Sequence, residues 1–168
     1  MIRMFNGKSP KIASSAFVSE TAYITGDVEI GENANIWPGA VIRGDIAKIT
    51  IGANTSIEDN CVVHGATDII IGDNTIVGHG AVLHCRKIGN NVLIGNSATV
   101  LDNAEIGDYC IIAAGSVVAP GTKFPTETLA VGVPAQVKGK LSQTQKDYIT
   151  IGAAFNVKLA QEYKKQGL

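Results

Sequence analysis

The chain of 168 residues has only three histidines, and all of them fall in a short window at positions 64, 79 and 84. Histidine is the commonest metal ligand among protein side chains. Three neutral imidazoles on one ion leave a coordination position open for water, which is the pattern of a catalytic zinc site. His64, His79 and His84 are therefore candidate metal ligands, provided that the fold brings them together.

The elements that must position these histidines follow a six-residue period. This period is neither that of a helix nor the alternation of a simple strand. It is typical of the hexapeptide repeat of a parallel β-helix, in which the aliphatic residue points inward and three units close one triangular coil. An all-β sandwich is the weaker alternative, because alternation alone does not keep a phase of six over this length. The predicted inward residues are Val18, Ile24, Ile30, Ile36, Ile42, Ile51, Ile57, Val63, Ile71, Val77, Leu83, Ile88, Ile94, Val100, Ile106, Ile112 and Val118.

The rest of the chain departs from this period. Longer or shorter steps within the repeat fit corner loops, where solenoids usually place insertions. Beyond Gly121 the period is lost, and we expect the following segment to lead out of the last coil. From Ser142 the pattern becomes helical and begins with a capping box to Gln145. We predict a solenoid domain over residues 1–140 and a C-terminal helix over residues 141–168, packed on its own solenoid or a neighbour's.

Composition excludes several classes of partner. The formal net charge is −1 and no basic run is present, which argues against nucleic acid and against an anionic membrane surface. No stretch approaches the roughly 20 apolar residues that span a bilayer, and the first residues do not resemble a signal peptide. Three cysteines without a CxxC spacing argue against a disulfide framework. We therefore expect a cytoplasmic protein.

The repeat assigns each histidine to a corner of the coil. His64 and His84 each follow the third inward residue of successive coils, so they should stack about 4.8 Å apart at one corner. His79 follows the second inward residue of its coil and belongs to a different side. One chain cannot readily bring all three together. We predict a homotrimer in which His64 and His84 of one chain share a metal ion with His79 of the next.

Four charged residues fall in the same columns as the histidines. Arg43 should lie beneath His64, and Asp45 could pair with it in the same chain or across an interface. That pair could fasten subunits or take part in the chemistry. Asp59 stands one coil below His79 and could orient its ring. Glu58 should face the same cleft, where its carboxylate could accept a proton or hold a water molecule.

These residues lie in stretches that resemble the γ-class carbonic anhydrases, which are trimeric left-handed β-helix proteins. The resemblance covers roughly residues 8 to 165, and its metal signature is strong among hexapeptide proteins. It implies a left-handed coil and reversible hydration of CO2 to bicarbonate by a metal-bound hydroxide, with zinc, iron(II) or cobalt(II) on the three histidines. The stretches are GDVEIGENANIWPGAVIRGD, IGANTSIEDNCVVHG, IGDNTIVGHGAVLHC and VGVPAQVKGKL.

The resemblance also draws attention to three further positions. Glu58 occupies the place of a glutamine in the family's usual pattern, Asn96 replaces a methionine beside the cleft, and Asn156 replaces an aromatic residue on the helix near the metal. Two other functions stay open. One is an acyl-CoA enzyme, either a hexapeptide acyltransferase or a thioesterase, and the other is a trimeric scaffold whose metal merely fastens subunits.

Overall fold

Short parallel strands, most of them two residues long, form a solenoid with a single helix at its C-terminal end. The computed structural model describes residues 1–168. Its elements are β1 (Ile2–Arg3), β2 (Lys11–Ile12), β3 (Phe17–Val18), β4 (Tyr23–Ile30), β5 (Asn35–Ile36), β6 (Val41–Ile51), β7 (Ser56–Ile57), β8 (Val62–His64), β9 (Ile69–Ile71), β10 (Ile76–Val77), β11 (Val82–Leu83), β12 (Lys87–Ile88), β13 (Leu93–Ile94), β14 (Thr99–Val100), β15 (Glu105–Ile106), β16 (Ile111–Ile112), β17 (Val117–Val118), β18 (Lys123–Phe124), β19 (Thr128–Gly132), β20 (Ala135–Lys140) and α1 (Gln143–Gln166).

The strands stack into three faces. The first face contains β3, β5, β7, β10, β13, β16 and β19 in parallel register, with β20 added antiparallel to β19. The second face continues from the starts of β4 and β6 through β8, β11, β14 and β17. The third contains β2, the ends of β4 and β6, and then β9, β12, β15 and β18. Because β4 and β6 run through the corner between the second and third faces, these two faces form one hydrogen-bonded sheet.

The interior confirms the predicted aliphatic column. Every predicted inward residue is buried except Val18, which is partly exposed. Neighbouring coils place these side chains on top of one another, with Ile42 paired to Val63 and Val63 to Leu83. In such a close-packed interior, truncating one isoleucine to alanine costs about 2–5 kcal/mol. The column therefore gives the outward-facing corners a rigid support.

A second inward column lies two residues before the first and holds mostly small side chains, with isoleucine at positions 49 and 69. The Cys61 thiol belongs to it and donates to the Gly78 carbonyl oxygen at 3.1 Å. Burial raises the pKa of this thiol to about 12. All three cysteines are free and buried, so they pack as small core residues. Buried members of this column include Ala22, Ala34, Ala40, Cys61, Ala81, Ala98, Ala104 and Cys110.

The expectation that the repeat ends near Gly121 is wrong. Phe124 and Ala130 continue the six-residue steps and pair in register with Ile106 and Ile112 of the coil below. The sequence pattern hid this coil because an aromatic and a small residue fill inward positions that branched aliphatic residues occupy elsewhere. The hairpin of β19 and β20 follows the added coil.

Helix α1 begins at the predicted capping box. The Gln145 N–H donates to the Ser142 hydroxyl at 3.3 Å, and the Ser142 N–H donates to the Gln145 side chain at 2.8 Å. The helix packs against β3, β5, β7 and β10, on the first face of its own solenoid. A Cβ at Gly152 would lie 3.0 Å from Ile76, so glycine allows this close approach. No helix of the protein has both the length and the hydropathy needed to cross a membrane.

Candidate functional site

Two of the histidines lie together where the second face ends. His64 is the last residue of β8 and pairs in register with Arg43 of β6. His84 directly follows β11, whose Leu83 pairs with Val63. The imidazole rings of His64 and His84 are 5.6 Å apart between centroids. We call this group, with the carboxylates described next, the paired corner.

Each ring of the paired corner contacts an aspartate. Nε2 of His64 lies 3.0 Å from Oδ1 of Asp45, whose other oxygen accepts from the Arg43 guanidinium. Partial burial raises the pKa of the Asp45 carboxyl, but the Arg43 charge and the bonds from Arg43 and His64 outweigh it and hold that pKa below its usual range. Nδ1 of His84 lies 3.0 Å from Oδ1 of Asp102, one coil above. Arg43 and Asp45 therefore pair within one chain.

His79 lies alone on the turn between the first and second faces. It follows β10, and its side chain is 56% exposed. Nδ1 lies 2.9 Å from Oδ2 of Asp59, one coil below, and Nε2 lies 3.1 Å from Oε2 of Glu58. We call His79, Asp59 and Glu58 the single corner.

The helix completes the single corner. Asn156 donates from its side-chain amide to Oε1 of Glu58 at 3.1 Å, although the two residues are 98 positions apart in sequence. The last turns of the helix are held by edge-to-face aromatic contacts, with Tyr163 5.2 Å from Trp37 and 5.9 Å from Phe17 between ring centroids. These contacts set the position of Asn156 over the solenoid.

Two clefts meet at the single corner. Glu58, His79 and Asn156 line both of them and separate one from the other. The larger cleft has a volume of about 470 Å³, and the smaller has about 270 Å³. The single corner therefore combines ionisable groups with apolar walls. The apolar side chains of the larger cleft are Ile76, Leu93, Tyr148, Ile151 and Phe155, and those of the smaller are Trp37, Pro38, Leu159 and Tyr163.

The structure brings some predicted site residues together and keeps others apart. Within one chain, no group of three or more His, Cys, Asp or Glu residues is arranged to hold a metal ion. Asn96 lines the larger cleft one coil above His79 and has no hydrogen bond to any histidine. Sequence reasoning missed Asp102 altogether. It also missed the contact between Asn156 and Glu58, for which the sequence carries no local signal.

Comparisons with known proteins extend these observations. Residues 9–44 and 87–120 match the family described as Bacterial transferase hexapeptide (six repeats). The chain is 46% identical to a carbonic anhydrase of Geobacillus kaustophilus, covering 85% of this chain and 80% of the relative. It is 38% identical to the mitochondrial gamma carbonic anhydrase 2 of Arabidopsis thaliana, over 92% of this chain. The chain spans only 58% of the length of that plant protein.

The chain is also similar to a carnitine operon protein and to a protein of known crystal structure. The chain is 37% identical to the carnitine operon protein CaiE of Escherichia coli K12, over 84% of this chain and 73% of the relative. A crystal structure from Bacillus cereus, provisionally named an acetyltransferase, superposes with a TM-score of 0.96 at 39% identity and covers 98% of this chain and 97% of its own. The chain thus belongs to the hexapeptide-repeat family of γ-class carbonic anhydrase-like proteins.

Proposed function

We propose that this protein is a metal-dependent carbonic anhydrase that converts CO2 and water reversibly to bicarbonate. Its sites lie between neighbouring copies of a homotrimer and use His64 and His84 of one copy with His79 of the next. The metal is zinc, with iron(II) or cobalt(II) as alternatives. The observation that carries the proposal is the division of three aspartate-bound histidines between two separate corners of one chain.

This division supports sites that form between two copies, and the resemblance to the γ-class carbonic anhydrases implies three copies in the ring. The paired corner offers two imidazoles and the single corner offers one, and the two corners flank opposite ends of the second face. A ring of copies related by rotation places the single corner of one against the paired corner of the next, and it closes with identical interfaces. Three such interfaces hold three equivalent sites.

The donor chemistry fits a metal ion. A neutral imidazole whose one nitrogen donates to a carboxylate keeps the lone pair of its other nitrogen for a ligand. In His84 the Nδ1 atom faces an aspartate, so Nε2 would be the ligand atom. In His79 the Nδ1 atom also faces an aspartate, and Nε2, which lies 3.1 Å from Glu58 within the single chain, would exchange that contact for the ion. In His64 the Nε2 atom faces Asp45, so Nδ1 is left. Three neutral nitrogen ligands with an open position are what a catalytic zinc ion requires.

When bound, the ion would act as a Lewis acid and lower the pKa of water from far above the physiological range to about 7. The chain supplies the remaining functions. Glu58 accepts from the Asn156 amide through Oε1, and its Oε2 lies 3.1 Å from Nε2 of His79. Once that nitrogen holds the ion, Oε2 is the oxygen that would accept a proton. Ile76 and Leu93 provide apolar walls for CO2. Arg43 keeps Asp45 ionised, and Asp45 in turn orients His64.

The test is elemental analysis of protein purified with and without oxygen, combined with stopped-flow CO2 hydration on the same samples. We expect about one metal ion per chain, as three shared sites in a trimer require, and hydration that depends on that metal. The His79→Ala variant should lose both. Asp147→Ala removes an exposed helix side chain that bonds only Gln143, and as the control it should retain both. A metal-free, inactive trimer from both preparations would overturn the proposal.

A second candidate function is hydrolysis or transfer of an acyl group carried on coenzyme A. The observation in its favour is the apolar cleft of about 470 Å³ beside His79, which is far larger than CO2 needs. The similarity to a protein provisionally named an acetyltransferase agrees with it. Assay of the metal-loaded and metal-depleted protein with acyl-CoA of different chain lengths distinguishes a thioesterase from an acyltransferase. A metal-activated thioesterase loses its activity on depletion, whereas an acyltransferase that uses a free histidine as base keeps it.

A further inference from the structure

We propose that Asp102 is a positioning residue that orients the metal ligand His84. This inference rests on the proposed function, because it concerns the same metal site. Asp102 would hold the hydrogen on Nδ1 of His84 and so direct the lone pair of Nε2 toward the space shared with His64. The juxtaposition behind it is a distance of 3.0 Å between Nδ1 of His84 and Oδ1 of Asp102.

The Asp102 carboxylate has no other partner. Its only hydrogen bond and its only ion pair both go to His84. Asp73 and Asp108, which also lie on turns of the solenoid, accept instead from backbone N–H groups of the coil below. A carboxylate that serves only to close a turn would be expected to bond the backbone in the same way. The side chain of Asp102 is instead committed to the imidazole.

The backbone at Asp102 is held firmly enough to position a ring. The Gly121 N–H donates to the Asp102 carbonyl at 2.7 Å, and the Leu101 N–H donates to the Val118 carbonyl at 3.1 Å. Both bonds come from pairing with the next coil. The carboxylate therefore projects from a fixed point above His84, which is what orienting an imidazole requires.

The other two histidines also contact an aspartate, but that aspartate approaches from the opposite end of the solenoid axis. Asp59 and Asp45 belong to the coil below the histidines that they contact, whereas Asp102 belongs to the coil above. Each of the three histidines thus faces an aspartate with one ring nitrogen, and His79 also faces Glu58 with the other. Carboxylates placed in this way fix the tautomer and the orientation of a ligand, and losing one costs about 10–100-fold in metal affinity.

A structural role explains the pair less well. The side chains of Asp102 and His84 are 52% and 31% exposed. An exposed pair of this kind contributes little to folding stability, because solvent screens it and its side chains lose freedom. Removing Asp102 should therefore change metal binding much more than unfolding.

The experiment compares the full-length protein with Asp102→Ala, Asp102→Asn and Asp147→Ala. Asp147 is an exposed helix residue that bonds only Gln143, so its variant controls for the loss of one surface carboxylate. Cobalt(II) is the probe, and its visible absorption reports the ligand geometry while a competing chelator reports affinity. We expect Asp102→Ala to bind cobalt about 10–100-fold more weakly, with a changed spectrum. Asp102→Asn should stay within about threefold of the parent, because its amide oxygen accepts the same bond, and Asp147→Ala should match the parent.

The outcomes separate this inference from the proposed function. A parent protein that binds no cobalt overturns both. Tight binding by the parent with unchanged affinity in Asp102→Ala overturns the positioning role alone. Equal losses in Asp102→Ala and Asp102→Asn also overturn it, because they indicate that charge acts and orientation does not. Thermal unfolding of each variant checks the fold, and the Asn variant keeps the test decisive if the Ala variant does not fold.

Discussion

The two histidine-bearing corners are built in different ways. The paired corner comes from strand register alone, because His64 and His84 follow stacked inward residues of adjacent coils. The single corner needs a tertiary contact, since Asn156 on α1 holds Glu58, which lies beside His79. Exposure differs as well: the His64 and His84 side chains are 16% and 31% exposed, and that of His79 is 56% exposed.

This difference indicates that the two corners have different roles in the proposed site. The paired corner presents two imidazoles whose separation is set by the solenoid core, and it is rigid for the same reason that the core is. The single corner carries one exposed imidazole with an acid and apolar clefts around it. Under the proposed function, one corner mainly holds the ion and the other mainly shapes the chemistry around it. The following predictions test that contrast, beginning with the largest expected effect.

Mixed assemblies should show that the two corners act across chains. His84→Ala and His79→Ala each remove one ligand from every interface, so each alone should neither retain metal nor hydrate CO2. When the two variants are refolded together, about one quarter of interfaces join an intact paired corner to an intact single corner. Metal content and hydration rate should recover to a corresponding extent.

A mixture of His64→Ala and His84→Ala is the matched control for that experiment. Both changes affect the paired corner, so no interface in the mixture has a complete ligand set and no recovery is expected. Recovery in this control, or none in the first mixture, would contradict a division of ligands between chains.

Loss of Asp59 should weaken the single corner as loss of Asp102 weakens the paired one. Asp59→Ala leaves Nδ1 of His79 without its carboxylate, and we expect metal affinity to fall about 10–100-fold. Asp59→Asn should retain most of the affinity. Chelator competition measures both, and an unaffected Asp59→Ala variant would show that the exposed imidazole orients itself.

Removal of Asn156 tests the contribution of the helix. Asn156→Ala leaves one oxygen of a largely buried Glu58 without its donor, so the carboxylate should shift away from His79. We expect kcat/KM for CO2 hydration to fall about tenfold, because proton transfer depends on geometry, while metal content stays unchanged. The exposed neighbour Ala154→Ser is a suitable control, and a loss of metal in Asn156→Ala would refute the assignment of Asn156 to the chemistry.

The smallest effect should come from the helix cap. Ser142→Ala removes the hydroxyl that accepts from Gln145, which costs about 1 kcal/mol of stability. Because α1 is also held by its buried face and by aromatic contacts, the single corner should keep its geometry. Denaturant unfolding should show the loss, with kcat/KM unchanged. A change in kcat/KM comparable to that of Asn156→Ala would indicate that the first turn of α1 controls the site.

The sequence predicted those parts of the site that obey the repeat. The positions of His64 above Arg43 and of Asp59 near His79 follow from counting in sixes, because parallel register turns sequence spacing into vertical stacking. The six-residue period was not recognised where an inward position holds a residue that is not a branched aliphatic one. Phe124 is inward without being aliphatic, so the last coil was missed.

The six-residue period could not predict contacts between residues that lie in different columns of the solenoid. The register places Leu101 above His84, and Asp102 reaches the ring diagonally from the following turn. The position of Asn156 depends on how α1 lies across the first face, and close approach at Gly152 and the aromatic contacts of Tyr163 both influence it. Neither the contact of Asp102 with His84 nor the position of Asn156 depends on the six-residue period.

The sequence by itself determined a parallel solenoid with stacked corners, because six-residue spacing of inward residues has few other solutions. It also determined which histidines share a corner. The tertiary structure decided which carboxylate faces each imidazole and how the helix meets Glu58. The physical reason is that register is a property of the backbone ladder, whereas side-chain partners at a corner depend on turn geometry and on packing between distant segments.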